Sequence, residues 1–244
     1  MENMKSLAIQ GIEPNGGGAL GSGCVRKLGS KCAFTLAEVL ITLGIIGVVA
    51  AITLPSVIAN YQKQATANKV KKFYVNFSQA IREAEVANGE FKNWDVNSAD
   101  ELYDNYLAPY LKVVQVQRDV HVFGNFTQGI KFIFPDGTQA ICNYKTNLPL
   151  YGNHQCLFPC IFSPRGVAKW GDHISGNGYK YNGTREIFWF MIDQKGQLVP
   201  PHLNQPREYN INSCKTMSDQ GNGFYDCSTL LYKDGWQFKN DYPW

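Results

Sequence analysis

His154, Cys156 and Cys160 form an H-x-C-x-x-x-C cluster, and imidazole and thiolate are ligands that zinc prefers. The spacing fits no standard zinc finger and no fourth ligand is evident, so a disulfide or plain structural role outweighs a metal site. Asp172, Asn177 and Asn182 offer oxygen ligands to calcium within the Gly-rich run WGDHISGNGYKYNG. They lack a recognised calcium spacing, and a solvated loop is the stronger reading. His121, His173 and His202 are isolated, and no motif around any serine or cysteine marks a nucleophile. The Gly-rich stretch EPNGGGALGSG has no GK[ST] ending and is not a phosphate loop. These patterns predict neither an enzyme nor a bound cofactor.

The seven cysteines divide around one apolar segment: Cys24 and Cys32 precede it, and Cys142, Cys156, Cys160, Cys214 and Cys227 follow. Five in an exported head allow up to two disulfides and one leftover thiol. Cys214 and Cys227 bracket TMSDQGNGFYD, a polar, Gly-containing turn that can bring its ends together. A disulfide there closes a short loop and is worth about 3 kcal/mol in the chain-entropy model. How Cys142, Cys156 and Cys160 pair is left open.

Glu38 poses a different problem, because it is the only charged residue between Phe34 and Ala59. A carboxylate in such a span costs about 2.5 to 3.5 kcal/mol at the bilayer centre, less near an end, unless it is paired. If the chain is cut after Ala33, the new α-amine of Phe34 supplies a positive charge, with a reference pKa of about 7.7 to 8.0. Four residues of helix separate the groups by about 6 Å of rise, so Glu38 of one subunit could meet the Phe34 amine of a staggered neighbour. Alternatively, Glu38 serves its own helix, where a first-turn carboxylate is favoured by about 0.3 to 1 kcal/mol. Physics alone leaves both readings standing.

The element that positions Glu38 is the run FTLAEVLITLGIIGVVAAITLPSVIA, 26 residues from Phe34 to Ala59. As a helix it is about 39 Å long, enough to cross a hydrocarbon core of about 30 Å. A secretory signal peptide would have a shorter apolar region followed by a break. Here the pattern continues without a breaker after Pro55, and Val70, Phe73, Phe77, Ala80, Ile81 and Ala84 recur at helical spacing. One helix is therefore expected from Phe34 to about Ala87, membrane-spanning first and amphipathic after.

Beyond Gly89 the chain reads as a mixed head. Residues 99–111 suggest a short helix interrupted at Pro109, and 112–117, 119–124, 130–134 and 138–144 suggest strands, the last two joined by a PDG turn. Another hairpin is expected where EIFWFMID meets QKG and then QLV. The fold class is α+β: a long N-terminal helix whose amphipathic half, between about Val70 and Ala87, packs on one apolar face of an antiparallel sheet. A net charge of +3 over 244 residues carries no footprint for nucleic acid. Most of the aromatic residues, 13% of the chain, are assigned to core and strands rather than to stacking on sugars or bases.

Arg26, Lys27 and Lys31, the small Ala33, and then Phe34-Thr35-Leu36-Ala37-Glu38-Val39-Leu40 resemble the cleavage and methylation signature of type IV prepilins and type II secretion pseudopilins. The resemblance covers about 30 residues and implies a pilin-like fold. It implies that a prepilin peptidase cuts between Ala33 and Phe34 and methylates the new Phe34 amine, and that Glu38 is needed for assembly. The family usually has Gly before the cut, and Ala33 is the least damaging replacement for a pocket that demands a small side chain. Gly44, Gly47 and Pro55 are similar to the family's Gly-to-Pro stretch, which loosens when subunits pack into a filament. Pro removes a backbone donor, and each glycine weakens a helix by about 1 kcal/mol.

The implied organisation is a leader (1–33), a transmembrane half-helix (34–59), an amphipathic half-helix (60–88) and a globular head (89–244). The implied protein is a pilin or pseudopilin subunit, its larger, aromatic-rich head favouring a minor one, in a bacterial inner membrane with its head outside the cytoplasm. Its partners would be like subunits, the peptidase, the inner-membrane assembly platform and membrane lipid, with no nucleic acid. The competing expectation is a signal-anchored monomer, an adhesin or tethered enzyme that keeps its leader.

Overall fold

The computed structural model describes residues 34–120, 129–144, 148–150, 154–166, 186–220 and 225–244. The chain divides into two compact units, Met1–Ile52 and Thr53–Trp244. In the first, the described chain is the beginning of helix α1 (Leu36–Asn88), and every residue from Phe34 onward is exposed. The second holds the rest of α1, the sheet and three further α-helices among the described residues.

α1 stops at Gly89, whose positive φ of 83° suits a residue without a Cβ and whose N–H closes the last turn on the Glu85 carbonyl at 2.9 Å. A single 3-10 turn follows at Phe91–Asn93. Helix α2 (Ala99–Leu102) starts on Ser98, whose hydroxyl accepts from the Glu101 N–H, and runs into a π turn over Tyr103–Leu107 that ends just before Pro109.

Seven strands are described: β1 (Gln115–Val120), β2 (Gly129–Ile133), β3 (Gln139–Cys142), β4 (Leu148–Leu150), β5 (His154–Ser163), β6 (Phe188–Asp193) and β7 (Leu198–Val199). They form one antiparallel sheet in the order β1-β2-β3-β5-β6-β7, with β4 also paired to β5. Helices α3 (Arg207–Gln220) and α4 (Tyr225–Lys233) complete the chain.

The pleat puts Phe132, Ala140, Phe162 and Phe188 in one cross-strand row, and Ile130, Cys142, Cys160 and Phe190 in the next. Both rows face the buried stripe of α1, which is Ala67, Val70, Phe73, Phe77, Ala80, Ile81 and Ala84. Phe73 stacks on Phe162 at 4.4 Å and Phe77 meets Phe132 edge-on at 6.3 Å. Two polar contacts fasten the same helix: Lys72 pairs with Asp136 in the PDG turn at 2.8 Å, and Lys69 donates to the Pro164 carbonyl at 2.9 Å.

Three features differ from the expectations. The sheet is buried on its second face as well, where Ile141, Ile161 and Trp189 follow Lys131 in register. Burial costs the Lys131 ammonium its hydration and lowers its pKa. Within the described residues, the expected break between strands at 112–117 and 119–124 is instead a register irregularity inside one strand, β1, between Gln117 and Val120, where Asp119 takes a φ of 53°; residues 121–124 lie outside the described residues. The displaced Arg118 there pairs with Asp100 and Asp104 beside α2. Thirdly, the TMSDQ part of the segment between Cys214 and Cys227 belongs to α3 rather than to a turn.

Candidate functional site

At the N-terminus of α1, Thr35 and Glu38 form a closed hydrogen-bonded turn. The Glu38 N–H donates to the Thr35 hydroxyl at 3.2 Å, and the Glu38 carboxylate accepts from the Thr35 N–H and hydroxyl, each at 2.9 Å. This is a reciprocal capping box, in which T-x-x-E satisfies two backbone donors that a helix start leaves open. Glu38 therefore has local partners within its own chain. Phe34, just before the cap, is 84% exposed. Ala33, the other side of the expected cut, lies outside the described residues.

From Leu36 to Ile58 the large apolar side chains of α1 are all exposed, between 41% and 77%. The helix is long and apolar enough to cross a membrane. Pro55 sits inside it, leaving the carbonyl four residues earlier without its usual donor. A Cβ built on Gly44 or Gly47 would meet nothing within 4 Å. Neither glycine is required by packing within this chain.

Two disulfides cross-link the described part of the head. Cys142 is joined to Cys160 across β3 and β5, and Cys214 to Cys227 between α3 and α4. With Cys160 oxidised, the H-x-C-x-x-x-C cluster loses a thiolate. The side chains of its other members, His154 and Cys156, lie outside the described residues, as do Asp172, Asn177, Asn182, His121 and His173. No group of three or more potential metal ligands occurs among the described residues.

His202 and Asp226 form a buried pair, Nδ1 to Oδ1 at 2.6 Å, that sequence reading missed. Lone histidine and aspartate carry no local signal, and 24 positions separate these two. A pocket of about 460 Å³ lies among Phe91, Trp94, Tyr144 and Phe158, with Lys92 and Lys195 at its wall. Aromatic walls and cations of this kind suit a flat or anionic group.

A family model matches residues 56–191, more than half of the chain, and its description is a family of unknown function, DUF6613. The chain belongs to that family. The DUF6613 match begins at Ser56, after most of the exposed apolar run, and ends at Met191 in β6. It therefore takes in the buried half of α1 and most of the sheet, while the capping box, α3 and α4 lie beyond it. No curated protein and no solved structure matches the chain.

Proposed function

We propose that this chain is a structural subunit of the pilin and pseudopilin class, anchored in the bacterial inner membrane by α1 and assembled through that helix into a pilus-like or secretion filament. The observation that carries the reading is the division of a single helix into two kinds of surface. From Leu36 to Ile58 its apolar side chains have no cover, whereas from Ala67 to Ala84 its apolar stripe is buried on the sheet. A run of uncovered apolar side chains that long needs lipid or neighbouring helices. The prepilin-like residues stand at its start. Leader removal at Ala33–Phe34 by a prepilin peptidase would free the Phe34 amine, and Glu38 would exchange its bonds to Thr35 for the amine of a staggered neighbour. Like subunits and the inner-membrane assembly platform are the implied partners, with the head outside the cytoplasm.

The capping box favours a second reading. Glu38 already has two donors in its own chain, so a membrane-anchored monomer needs no partner for it. Mass spectrometry of the protein from its native cell separates the two. Filament assembly predicts the 244-residue chain less its first 33, that is 211 residues, beginning with N-methylated Phe34. An intact leader on the mature protein would sink the filament reading.

A further inference from the structure

Where α1 leaves its apolar run, residues of the second unit meet in a way that filament assembly does not use. Leu54, Val57 and Ile58 end the run, each 46% to 61% exposed, and Asn60 makes the helix polar. Tyr61 is 72% exposed. Half-buried Lys63 places its Nζ 5.7 Å from the centre of the Trp244 ring. Trp244 is held there by the far end of the fold. Its ring meets Phe238 at 4.8 Å, and both pack on the cluster of Cys214, Cys227, Leu230 and Tyr242. The disulfide-linked pair α3 and α4 thus presents an indole beside α1, at the level of Lys63. Ala59 and Lys63 differ by four residues, or about 6 Å along the helix.

Indole and phenol rings concentrate at the headgroup level of a bilayer, where the ring is apolar and its N–H or O–H stays wet. A lysine at a helix end reaches the same level with its stem in apolar surroundings and its charge in water. Here a tyrosine, a lysine and a tryptophan from opposite ends of the second unit occupy about one helical turn past the last apolar residues. We propose that Tyr61, Lys63 and Trp244 form an interfacial anchor that seats the head on the membrane surface, the two rings at headgroup depth and Lys63 toward anionic lipid. The inference rests on the reading that the apolar run crosses the bilayer.

The test uses the full chain in vesicles of phosphatidylcholine and phosphatidylglycerol, with a nitroxide quencher carried either high on the acyl chain or near its end. The emission that Trp244→Phe removes belongs to Trp244. It is expected to fall about two-fold with the shallow quencher and less with the deep one. If lipid-borne quencher leaves that emission unchanged, the anchor is overturned. Tyr61→Trp, at an exposed position that does not endanger folding, is expected to add emission quenched at the same shallow depth; unquenched emission there also counts against the anchor. Ile46→Trp reports the span independently. Deep quenching at Ile46→Trp with an unaffected Trp244 defeats the anchor alone, whereas no quenching at either position defeats the membrane reading and the anchor with it.

Discussion

Glu38 serves both readings of this protein, and its chemistry distinguishes them. Glutamine can replace glutamate in a capping box, because its carbonyl accepts from the same backbone N–H, but it cannot neutralise an amine. If Glu38 only caps α1, Glu38→Gln is expected to behave as the parent while Glu38→Ala loses about 1 kcal/mol of local helix stability. If Glu38 pairs with a neighbour's Phe34 amine, both substitutions insert normally and both fail to enter filaments. Counting subunits in sheared filaments against membrane-held protein reads the difference, and wild-type incorporation of Glu38→Gln would remove the charge pair from the mechanism.

A second residue-scale prediction concerns Asp136. Burial raises its pKa, but hydrogen bonds from Lys72 and Thr138 outweigh that and lower it to about 2 from an ordinary 3.8. A depressed carboxylate stabilises the fold above its unfolded pKa and ceases to do so as pH falls through the folded one. Lys72 is mostly exposed, so solvent screening limits the contribution to about 1 kcal/mol. Asp136→Asn is accordingly expected to lower the urea midpoint at neutral pH. The gap to the parent should close as pH falls from 3.8 toward about 2. A gap that persists there would mean that the loss is steric.

At the scale of the element, α1 is one helix under two sets of demands. Its C-terminal half is specified by packing: Phe73 alone meets Phe77, Phe134, Phe162 and Phe190. Its N-terminal half has no such aromatic partners among the described residues, and a Cβ on Gly44 or Gly47 would meet nothing within 4 Å. Gly44→Ala with Gly47→Ala is expected to stiffen the segment, by about 1 kcal/mol per substitution, and to leave membrane insertion unchanged. If assembly requires the stretch before Pro55 to loosen, the double variant will be inserted but poorly polymerised. Filament yield equal to the parent's would show that loosening is not needed. Gly196 is the contrasting case, since a Cβ there would come within 2.7 Å of the Phe91 Cβ and φ is 72°. In that turn the Asp193 carboxylate accepts from the Lys195 and Gln197 N–H groups, which closes the β6–β7 hairpin around the glycine.

At the scale of the molecule, the head carries its own core and both described disulfides within Thr53–Trp244. Removing everything before Asn60 takes away the exposed apolar run and none of the buried stripe, which starts at Thr66. The trimmed chain is expected to fold as a soluble monomer with Cys142–Cys160 and Cys214–Cys227 intact. Gel filtration and thiol titration under denaturing conditions check this, and aggregation or four additional free thiols would show that the head depends on the anchor.

Local patterns were readable from the residues because they repeat at the period of the element they form. The apolar run from Phe34 to Ala59, the stripe through Val70 and Ala84, and the turns at PDG and QKG are of this kind. The capping box, though it lies within four consecutive residues, came only from the structure, where Thr35 joins the first-turn role expected of Glu38. The membrane length of α1 and the α+β class follow from such patterns. Non-local pairing was beyond their reach. Cys142 meets Cys160 because β5 returns to pair with β3 past β4, a consequence of strand order. Helix α3 has a largely polar sequence, and what joins it to α4, beside the buried Leu230 and Leu231, is the Cys214–Cys227 link and Arg207, which binds Asp234 and Asp241 from beyond α4. The sheet's second buried face, the bulge that sends Arg118 to α2, and the meeting of Lys63 with Trp244 are likewise products of chain return. Each depends on which distant segments the core brings together, and side-chain period along the chain carries no record of that.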